Sequence, residues 1–249
     1  MIKLSPISKG MKTLMIIPTY NEAVNIPILL EQLLAVTGNL DVLVVDDGSP
    51  DGTGALVEKH AEFGRRVHLL KRPPKSGYAG AVREGFQWGL ARDYAACGSM
   101  DADRSHDPAE VPRLIGMLEQ GADLAVGSRY LNGIRIINWP LSRLLLSSFA
   151  GFVTRLFCGI RMTDPTSGFK MASRRLLETV DFSHFKTEGY GFIVELNFFA
   201  GRAGFKIEES AIIFTERQLG VSKMSKKIIV ESALTVLKLA LLRVWPGRR

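Results

Sequence analysis

The chain has 249 residues, of which 46% are hydrophobic, and it carries a formal net charge of +7. This length and composition exclude a disordered chain and allow one large α/β domain. Two cysteines, Cys97 and Cys158, are too few for a disulfide framework or a four-cysteine metal site, and they predict buried free thiols. The excess charge lies at the C-terminal end, because residues 217–249 hold eight basic residues and one acid. A basic tail fits an anionic partner such as a phosphate group or a membrane surface.

The sequence predicts neither a secretory leader nor a membrane span. Residues 1–11 are short and mixed in character, and they run directly into a strand-like segment. No run reaches the roughly 18 uncharged apolar residues that a spanning helix needs. The expected location is therefore the cytoplasm.

The first half of the chain alternates strand and helix patterns. Apolar, β-branched runs predict strands at Thr13–Ile17, Val42–Val45, Val67–Leu70, Ala96–Met100 and Leu124–Val126. Helical spacing predicts helices at Ala23–Ala35, from the turn Asp47–Gly52 to about Phe63, at Ala79–Arg92 and at Ala109–Glu119. This alternation is typical of a mostly parallel central sheet with helices on both faces. Such sheets bind ligands at the carboxyl ends of their strands.

The second half is less regular. Its patterns predict an apolar helix at Leu141–Phe157, a helix at Gly191–Ala203, a strand at Lys206–Phe214 and a tail helix at Lys226–Trp245. The chain has no internal repeat and no obvious interdomain linker. We therefore expect one α/β domain over residues 1–225, followed by a basic amphipathic C-terminal helix over residues 226–249.

Acidic residues follow three of the predicted strands. Glu22 comes after the first, Asp46 follows the second, and Asp101 and Asp103 follow the fourth. One such acid is a common turn residue, but carboxylates gathered at one sheet edge repel each other unless a cation lies among them. The pair Asp101 and Asp103 suits a hard divalent ion, Mg²⁺ or Mn²⁺, that also binds substrate phosphates.

Basic residues also lie where the same ligand would need them. Arg129 follows the fifth predicted strand, and Arg217 and Lys223 lie beyond the last one. Each of these alone is typical of a solvated surface charge. Together with a metal ion, they would neutralise a diphosphate leaving group.

Eight short motifs lie between residues 18 and 225, and the resemblance that they carry extends over about residues 12–240. Three are PTYNE (18–22), VVDDGSPDGT (44–53) and MDAD (100–103), and five further ones are GSRY (127–130), WPLSR (139–143), DPTSGFK (164–170), EGYGF (188–192) and RQLGVSKMS (217–225). This set resembles the family 2 glycosyltransferases of the GT-A (nucleotide-diphospho-sugar transferase) fold. More narrowly, it resembles the dolichyl- and polyprenyl-phosphate mannose synthases. Many family 2 enzymes share the first three motifs, whereas the last five are more selective.

The resemblance implies a role for each matching residue. The donor base and ribose would contact Pro18, Tyr20, Glu22, Val44 and Asp46. The diphosphate would lie against Met100, Asp101, Ala102 and Asp103, with Asp103 as the main metal ligand. Donor or acceptor phosphates would bind Arg129, Arg217 and Lys223, and Arg143 would join Arg129 at the acceptor phosphate. The implied catalytic residues are Asp101, Asp103, Arg129, Arg217 and Lys223.

The reaction that the resemblance implies is an inverting transfer of mannose from GDP-mannose to a polyprenyl phosphate. A phosphate monoester has a second pKa of about 6, so the acceptor is already a dianionic nucleophile at neutral pH. No strong general base is required, and His106 is expected to cap or support the site. Three alternatives stay open: UDP-glucose or another donor or acceptor, a relative that binds without turnover, and a nucleotide-binding domain outside the family.

Two departures from the family pattern stand out. Arg104 follows the acidic pair where an apolar residue is expected, and we predict that it points to solvent. Residues 133–138 are rich in isoleucine, which leaves the identity of the lipid open. For each of the two apolar helices, membrane contact at the cytoplasmic face and packing on the sheet as a core helix both stay open. The basic, broadly apolar tail helix favours the membrane interface, with docking on a separate membrane subunit as the alternative. The basic residues form no nucleic-acid-binding motif, so no nucleic-acid partner is expected.

Overall fold

The computed structural model describes residues 10–74, 76–185, 187, 189, 191–216 and 226–244. The strands are β1 (Thr13–Thr19), β2 (Leu40–Asp46), β3 (Val67–Lys71), β4 (Ala96–Ser99), β5 (Leu124–Ser128), β6 (Ile136–Ile137), β7 (Lys170–Ser173), β8 (Ile207–Ala211) and β9 (Phe214–Thr215). The helices are α1 (Ile26–Val36), α2 (Thr53–Glu58), α3 (Tyr78–Leu90), α4 (Val111–Glu119), α5 (Leu141–Cys158), α6 (Arg174–Thr179), α7 (Gly191–Arg202) and α8 (Lys226–Val244).

Seven strands form one sheet in the order β3-β2-β1-β4-β7-β5-β8, and β6 pairs with β9 in a small second sheet. All neighbours in the large sheet are parallel except β7, which is antiparallel to β4 and β5. The prediction of a mostly parallel α/β sheet is therefore confirmed. The carboxyl ends of the parallel strands share one edge, and the first residue of β7, Lys170, lies at that same edge opposite Ser99. The segment before β7 consequently enters the edge where ligands bind in such folds.

Helices cover both faces of the sheet. One apolar cluster packs α1 and α4 against one face, and a second packs α3, α6 and α7 against the other. Cys97 and Cys158 lie in the second cluster as free thiols, as predicted. Burial raises the pKa of Cys97 to about 12 and that of Cys158 to about 11, so both stay protonated and unreactive at neutral pH.

Some predicted boundaries are wrong. The first helix begins at Ile26 and not at Ala23, because Asn25 occupies the N-cap position and Pro27 the first turn. Helix α2 ends at Glu58, well before Phe63. The predicted strand Lys206–Phe214 is interrupted, since β8 ends at Ala211 and the chain turns to pair Phe214 with Ile136. Strand β7 and helix α6 were not predicted.

Helices α5 and α8 pack against each other and leave apolar side chains in solvent. Those of α5 include Leu141, Leu145, Phe149, Phe152 and Phe157, and those of α8 include Val230, Leu234, Leu237, Leu241 and Val244. Helix α8 also packs on α7. By length and composition, α5 is the one described helix that would be able to cross a membrane, which the sequence analysis did not predict. We call these exposed side chains of the two helices the α5–α8 apolar face.

Candidate active site

The end of strand β2 is anchored to the end of β1. Thr19 and Asp46 are paired in register, and the Thr19 hydroxyl donates to Asp46 Oδ1 at 2.8 Å. The Ser49 hydroxyl donates to the same oxygen at 2.5 Å, and the Ser49 amide donates to Oδ2 at 3.0 Å. A carboxylate oxygen accepts two hydrogen bonds, so Oδ2 keeps acceptor capacity for a ligand hydroxyl beyond these described donors. Asp46 is thus oriented at the carboxyl edge of the sheet.

The other four residues predicted to contact the donor base and ribose differ in how far their side chains are buried. Glu22 is buried, its amide donates to Thr53 Oγ1 at 3.0 Å, and its Oε2 accepts from Asn25 Nδ2 at 2.9 Å. The Val44 side chain is fully buried in the core between the sheet and α1. Pro18 and Tyr20 are half-buried at the end of β1.

A second carboxylate at this edge was missed as a site residue. Asp47 Oδ1 accepts from Arg72 at 2.6 Å, and its Oδ2 accepts from the amide of Gly77 at 2.8 Å. Burial raises the pKa of Asp47, and the Arg72 guanidinium partly opposes that rise. This contact ties the end of β2 to the loop that leads into α3. Arg72, a basic residue two positions beyond the third predicted strand, was the signal available in the sequence.

The acidic pair after β4 lies on a tight turn. Asp103 is buried, and its Oδ1 accepts from the amide of Ser105 at 3.1 Å and from its hydroxyl at 2.6 Å. Asp101 is half-buried, while the intervening Ala102 is buried and so contributes to the core. Met100 is also fully buried. The turn continues through Arg104, which has a φ of 61° and an exposed side chain, as predicted.

Gly168 brings the segment before β7 against this acidic pair. A Cβ atom placed on Gly168 would lie 2.9 Å from the Tyr78 hydroxyl and 3.6 Å from Asp101 Oδ1. The carbonyl of Gly168 also accepts from the Ser99 hydroxyl at 2.8 Å. Only glycine fits this approach without displacing a neighbour. In the described part of the chain, no three His, Cys, Asp or Glu side chains are grouped as a metal site.

Arg129 is held by a buried carboxylate. Its Nε and Nη2 donate to the two oxygens of Asp164 at 2.6 and 2.8 Å, and its amide donates to Asp164 Oδ2 at 3.1 Å. Burial by itself would raise the pKa of Asp164, but the Arg129 guanidinium and these hydrogen bonds hold it below its usual value. Thr166 accepts a further bond from Nη2 at 2.8 Å. The pairing fixes the guanidinium in place and leaves Nη1 with no partner in the described chain.

Trp139 brings the two predicted acceptor arginines together. The guanidinium carbon of Arg143 lies 4.2 Å from a Trp139 ring centroid, and that of Arg129 lies 5.7 Å away. Both oxygens of Glu216 accept from Arg143 Nη1 at 2.5 Å. Residues 217–225, which follow Glu216, lie outside the described residues. The sequence analysis did not single out Glu216, since its partner lies 73 positions away.

His106 packs against the aromatic side chains next to this group. Its ring stacks on Phe169 at 5.1 Å and meets the edge of Phe214 at 5.2 Å, while Trp139 meets Phe214 at 5.4 Å. Burial lowers the pKa of His106 to about 4, with the nearby Asp103 partly opposing that shift. The imidazole is therefore neutral at pH 7, and its buried packing fits a supporting role.

Of the six residues predicted to be catalytic or to bind phosphate, the structure describes four. Asp101, Asp103 and Arg129 follow strands that end at one sheet edge, and Arg143 reaches Arg129 through Trp139. Arg217 and Lys223 lie outside the described residues, as do Glu188 and Tyr190 of the EGYGF motif. Their predicted roles stay predictions.

Comparison with known proteins supplies independent information. Residues 15–181 match the family model described as Glycosyl transferase family 2. The chain is 45% identical over 226 residues to a polyprenol monophosphomannose synthase of Mycolicibacterium smegmatis, covering 90% of this chain and 85% of that protein. It is 41% identical over 239 residues to an undecaprenyl-phosphate mannosyltransferase of Micrococcus luteus, covering 96% and 98%.

Solved structures extend the comparison to the fold. The chain resembles a glucosyl-3-phosphoglycerate synthase from Mycobacterium tuberculosis, crystallised with Mn²⁺, uridine diphosphate and glucosyl-3-phosphoglycerate. The TM-score is 0.66 at 20% sequence identity, over 94% of this chain and 80% of the other. At this identity the likeness establishes the fold alone. The predicted GT-A fold class is confirmed.

Proposed function

We propose that this chain, which belongs to glycosyl transferase family 2, transfers a mannosyl group from a nucleotide sugar to a polyprenyl phosphate. The observation that carries the proposal is the 45% identity, over 90% of the chain, to a polyprenol monophosphomannose synthase. The site fits this reaction because it sets an acidic pair and two arginines beside one sheet edge. Mannose transfer to a lipid phosphate needs both a diphosphate site and a phosphate site.

The proposed donor is GDP-mannose. Its base and ribose would lie at the ends of β1 and β2, where Asp46 Oδ2 keeps acceptor capacity for a ribose hydroxyl. UDP-glucose or another nucleotide sugar would use the same edge. The donor assay below separates these alternatives.

Asp101 and Asp103 are the proposed ligands of a divalent ion, Mg²⁺ or Mn²⁺. Two carboxylates with a single residue between them offer the oxygen ligands that such ions prefer, and the donor diphosphate would supply further oxygens. When bound, the ion would neutralise charge on the departing nucleoside diphosphate. The fold relative from Mycobacterium tuberculosis was crystallised with Mn²⁺ and uridine diphosphate, which supports the use of a divalent ion.

The proposed chemistry is a single displacement. An oxygen of the acceptor phosphate attacks the anomeric carbon, and the bond from that carbon to the diphosphate oxygen breaks, so the nucleoside diphosphate leaves with the electron pair. An α-linked donor then gives a β-linked product. Arg129 and Arg143 would hold the acceptor phosphate, and Arg217 and Lys223 would bind the leaving diphosphate. The protein positions charge and needs no general base, which fits a neutral, packed His106.

We also propose that the protein works at the cytoplasmic face of a membrane. A polyprenyl phosphate must be reached from a bilayer, and helix α5 begins directly after Trp139 and Pro140 of the phosphate site. The exposed apolar side chains of α5 therefore run from the site outward, with those of α8 beside them. Such a surface fits peripheral insertion at the membrane interface, or docking on a separate membrane subunit.

Transfer of labelled mannose tests the proposal. GDP-mannose and UDP-glucose are each supplied with a short polyprenyl phosphate and a divalent ion, and the lipid product is separated and its anomer determined. Mannose transfer is expected in the wild type, lost in Asp103→Ala and kept in Asp93→Ala, whose residue is exposed. Glucose transfer alone would overturn the donor assignment, retention of the anomeric configuration would overturn the mechanism, and no transfer from either donor would overturn the function.

A further inference from the structure

A cavity of about 640 Å³ lies at the edge of the sheet opposite the candidate active site. The end of α5, the last turns of α7, Arg243 of α8 and the first residue of β8 surround it. Because β8 is parallel to β5, its first residue Ile207 marks the amino-terminal edge of the sheet. The cavity is therefore separate from the acidic pair and from Trp139. We propose that it binds the headgroup of an anionic phospholipid.

The charge of the cavity favours an anion. Arg161, Arg202 and Arg243 line it, and no Asp or Glu is among its described lining residues. Arg202 donates to the carbonyl of Leu242 at 2.7 Å, and Arg243 donates to that of Leu156 at 3.0 Å. A guanidinium has five N–H donors, so each of these two keeps donors for a ligand after capping a helix end.

Arg161, in contrast, does not cap a helix end. Its side chain is exposed and makes no hydrogen bond or ion pair with the described part of the chain. Helix capping therefore explains two of the three arginines but not the third. Three guanidinium groups around one cavity are suited to a phosphate, since arginine binds phosphate oxygens through paired N–H groups.

The walls of the cavity favour a lipid over a free anion. Ile160, Phe198, Phe205 and Ile207 supply apolar lining. Exposed apolar side chains at the ends of the neighbouring helices, Phe157 and Val244 among them, continue the α5–α8 apolar face toward the cavity. A phospholipid would place its phosphate among the arginines and its acyl chains along that face. A free phosphate would use the arginines alone.

The inference rests on the proposed membrane contact, but it adds a preference for lipid charge. It predicts that the full chain binds vesicles of phosphatidylcholine with phosphatidylglycerol more tightly than vesicles of phosphatidylcholine alone, in the absence of any substrate. One basic side chain near an anionic surface is worth about a fivefold change in affinity. Arg161→Gln and Arg202→Gln should each lower binding to the anionic vesicles by about fivefold and leave binding to neutral vesicles unchanged.

Matched variants keep the test independent of folding. Arg161→Lys retains the charge and should retain most of the preference, whereas Arg65→Gln removes one exposed charge far from the cavity and should change nothing. Because Arg161 makes no described contact, Arg161→Gln should also keep the wild-type melting temperature. Vesicle co-sedimentation and thermal unfolding measure these outcomes.

Three results would overturn the proposal. Equal binding of neutral and anionic vesicles would show that the protein has no preference for anionic lipid. Equal losses in Arg65→Gln and Arg161→Gln would show that the preference comes from net charge and not from the cavity. Stabilisation of the wild type by inorganic phosphate, with no vesicle preference, would assign the cavity to a soluble anion. Mannose transfer in detergent does not need this cavity. A failure of mannose transfer would therefore refute the proposed function and leave the lipid preference intact.

Discussion

Replacing Lys170 with methionine should remove one contribution to the pH dependence of the free energy of unfolding at alkaline pH. Lys170 is fully buried at the start of β7, and the one hydrogen bond of its ammonium group within the described chain is to Asn197 Oδ1 at 3.0 Å. Burial lowers the pKa of Lys170 to about 7, and the charge of Asp164 only partly opposes this. The folded protein therefore releases a proton that the unfolded chain keeps.

The magnitude follows from the two pKa values. An unfolded lysine has a pKa of 10.5, so between pH 7 and pH 9 it stays protonated while the folded one becomes neutral. Because the unfolded state binds more protons in this window, the free energy of unfolding rises with pH. The gain from Lys170 between pH 7 and pH 9 is about 2 kcal/mol, since each full proton contributes about 1.4 kcal/mol per pH unit.

Urea denaturation of the wild type and Lys170→Met over this pH range provides the assay. The variant leaves the Asn197 oxygen without its donor, a cost of about 1–3 kcal/mol that does not vary with pH. The diagnostic quantity is therefore the slope of the difference between the two proteins. Lys59→Met, at an exposed position, should leave the wild-type slope intact. Parallel curves for the wild type and Lys170→Met would refute the reasoning.

Three further substitutions test the site. Asp164→Asn leaves the buried Arg129 without its anion and should lower the free energy of unfolding by about 3–5 kcal/mol in urea denaturation. Gly168→Ala places a Cβ 2.9 Å from a tyrosine hydroxyl beside the acidic pair, so kcat for transfer should fall about tenfold or more. Glu216→Gln weakens the ion pair that orients Arg143, and KM for the lipid acceptor should rise about tenfold in steady-state assays.

Asp93→Asn serves as the common control, because Asp93 is exposed and remote from these contacts. Wild-type stability in Asp164→Asn would show that the buried arginine has another counter-charge. An unchanged kcat in Gly168→Ala would place the acidic pair away from the reacting groups. A lower acceptor KM in Glu216→Gln would mean that the glutamate competes with the acceptor for Arg143.

The sequence by itself determined the parallel half of the fold and the acidic residues at its edge. The runs at residues 13–17 and 42–45 are mostly apolar and rich in Ile and Val, so their strands follow from local pattern. The position of Asp46, Asp101 and Asp103 then follows, because each lies at or shortly after the end of a strand whose direction the alternation with helices fixes. The acidic edge was therefore predictable from short segments.

Only the tertiary structure decided how the second half completes the site. Strand β7 contains a buried lysine and has four residues, so no period of hydrophobicity reveals it, and its antiparallel insertion brings Gly168 to the acidic pair. The ion pairs of Arg129 with Asp164 and of Arg143 with Glu216 join residues 35 and 73 positions apart. Local pattern carries no information on such distant partners, because they are set by how helices and strands pack. Burial, which gives Lys170 and His106 their lowered pKa values, is likewise a property of the packed chain.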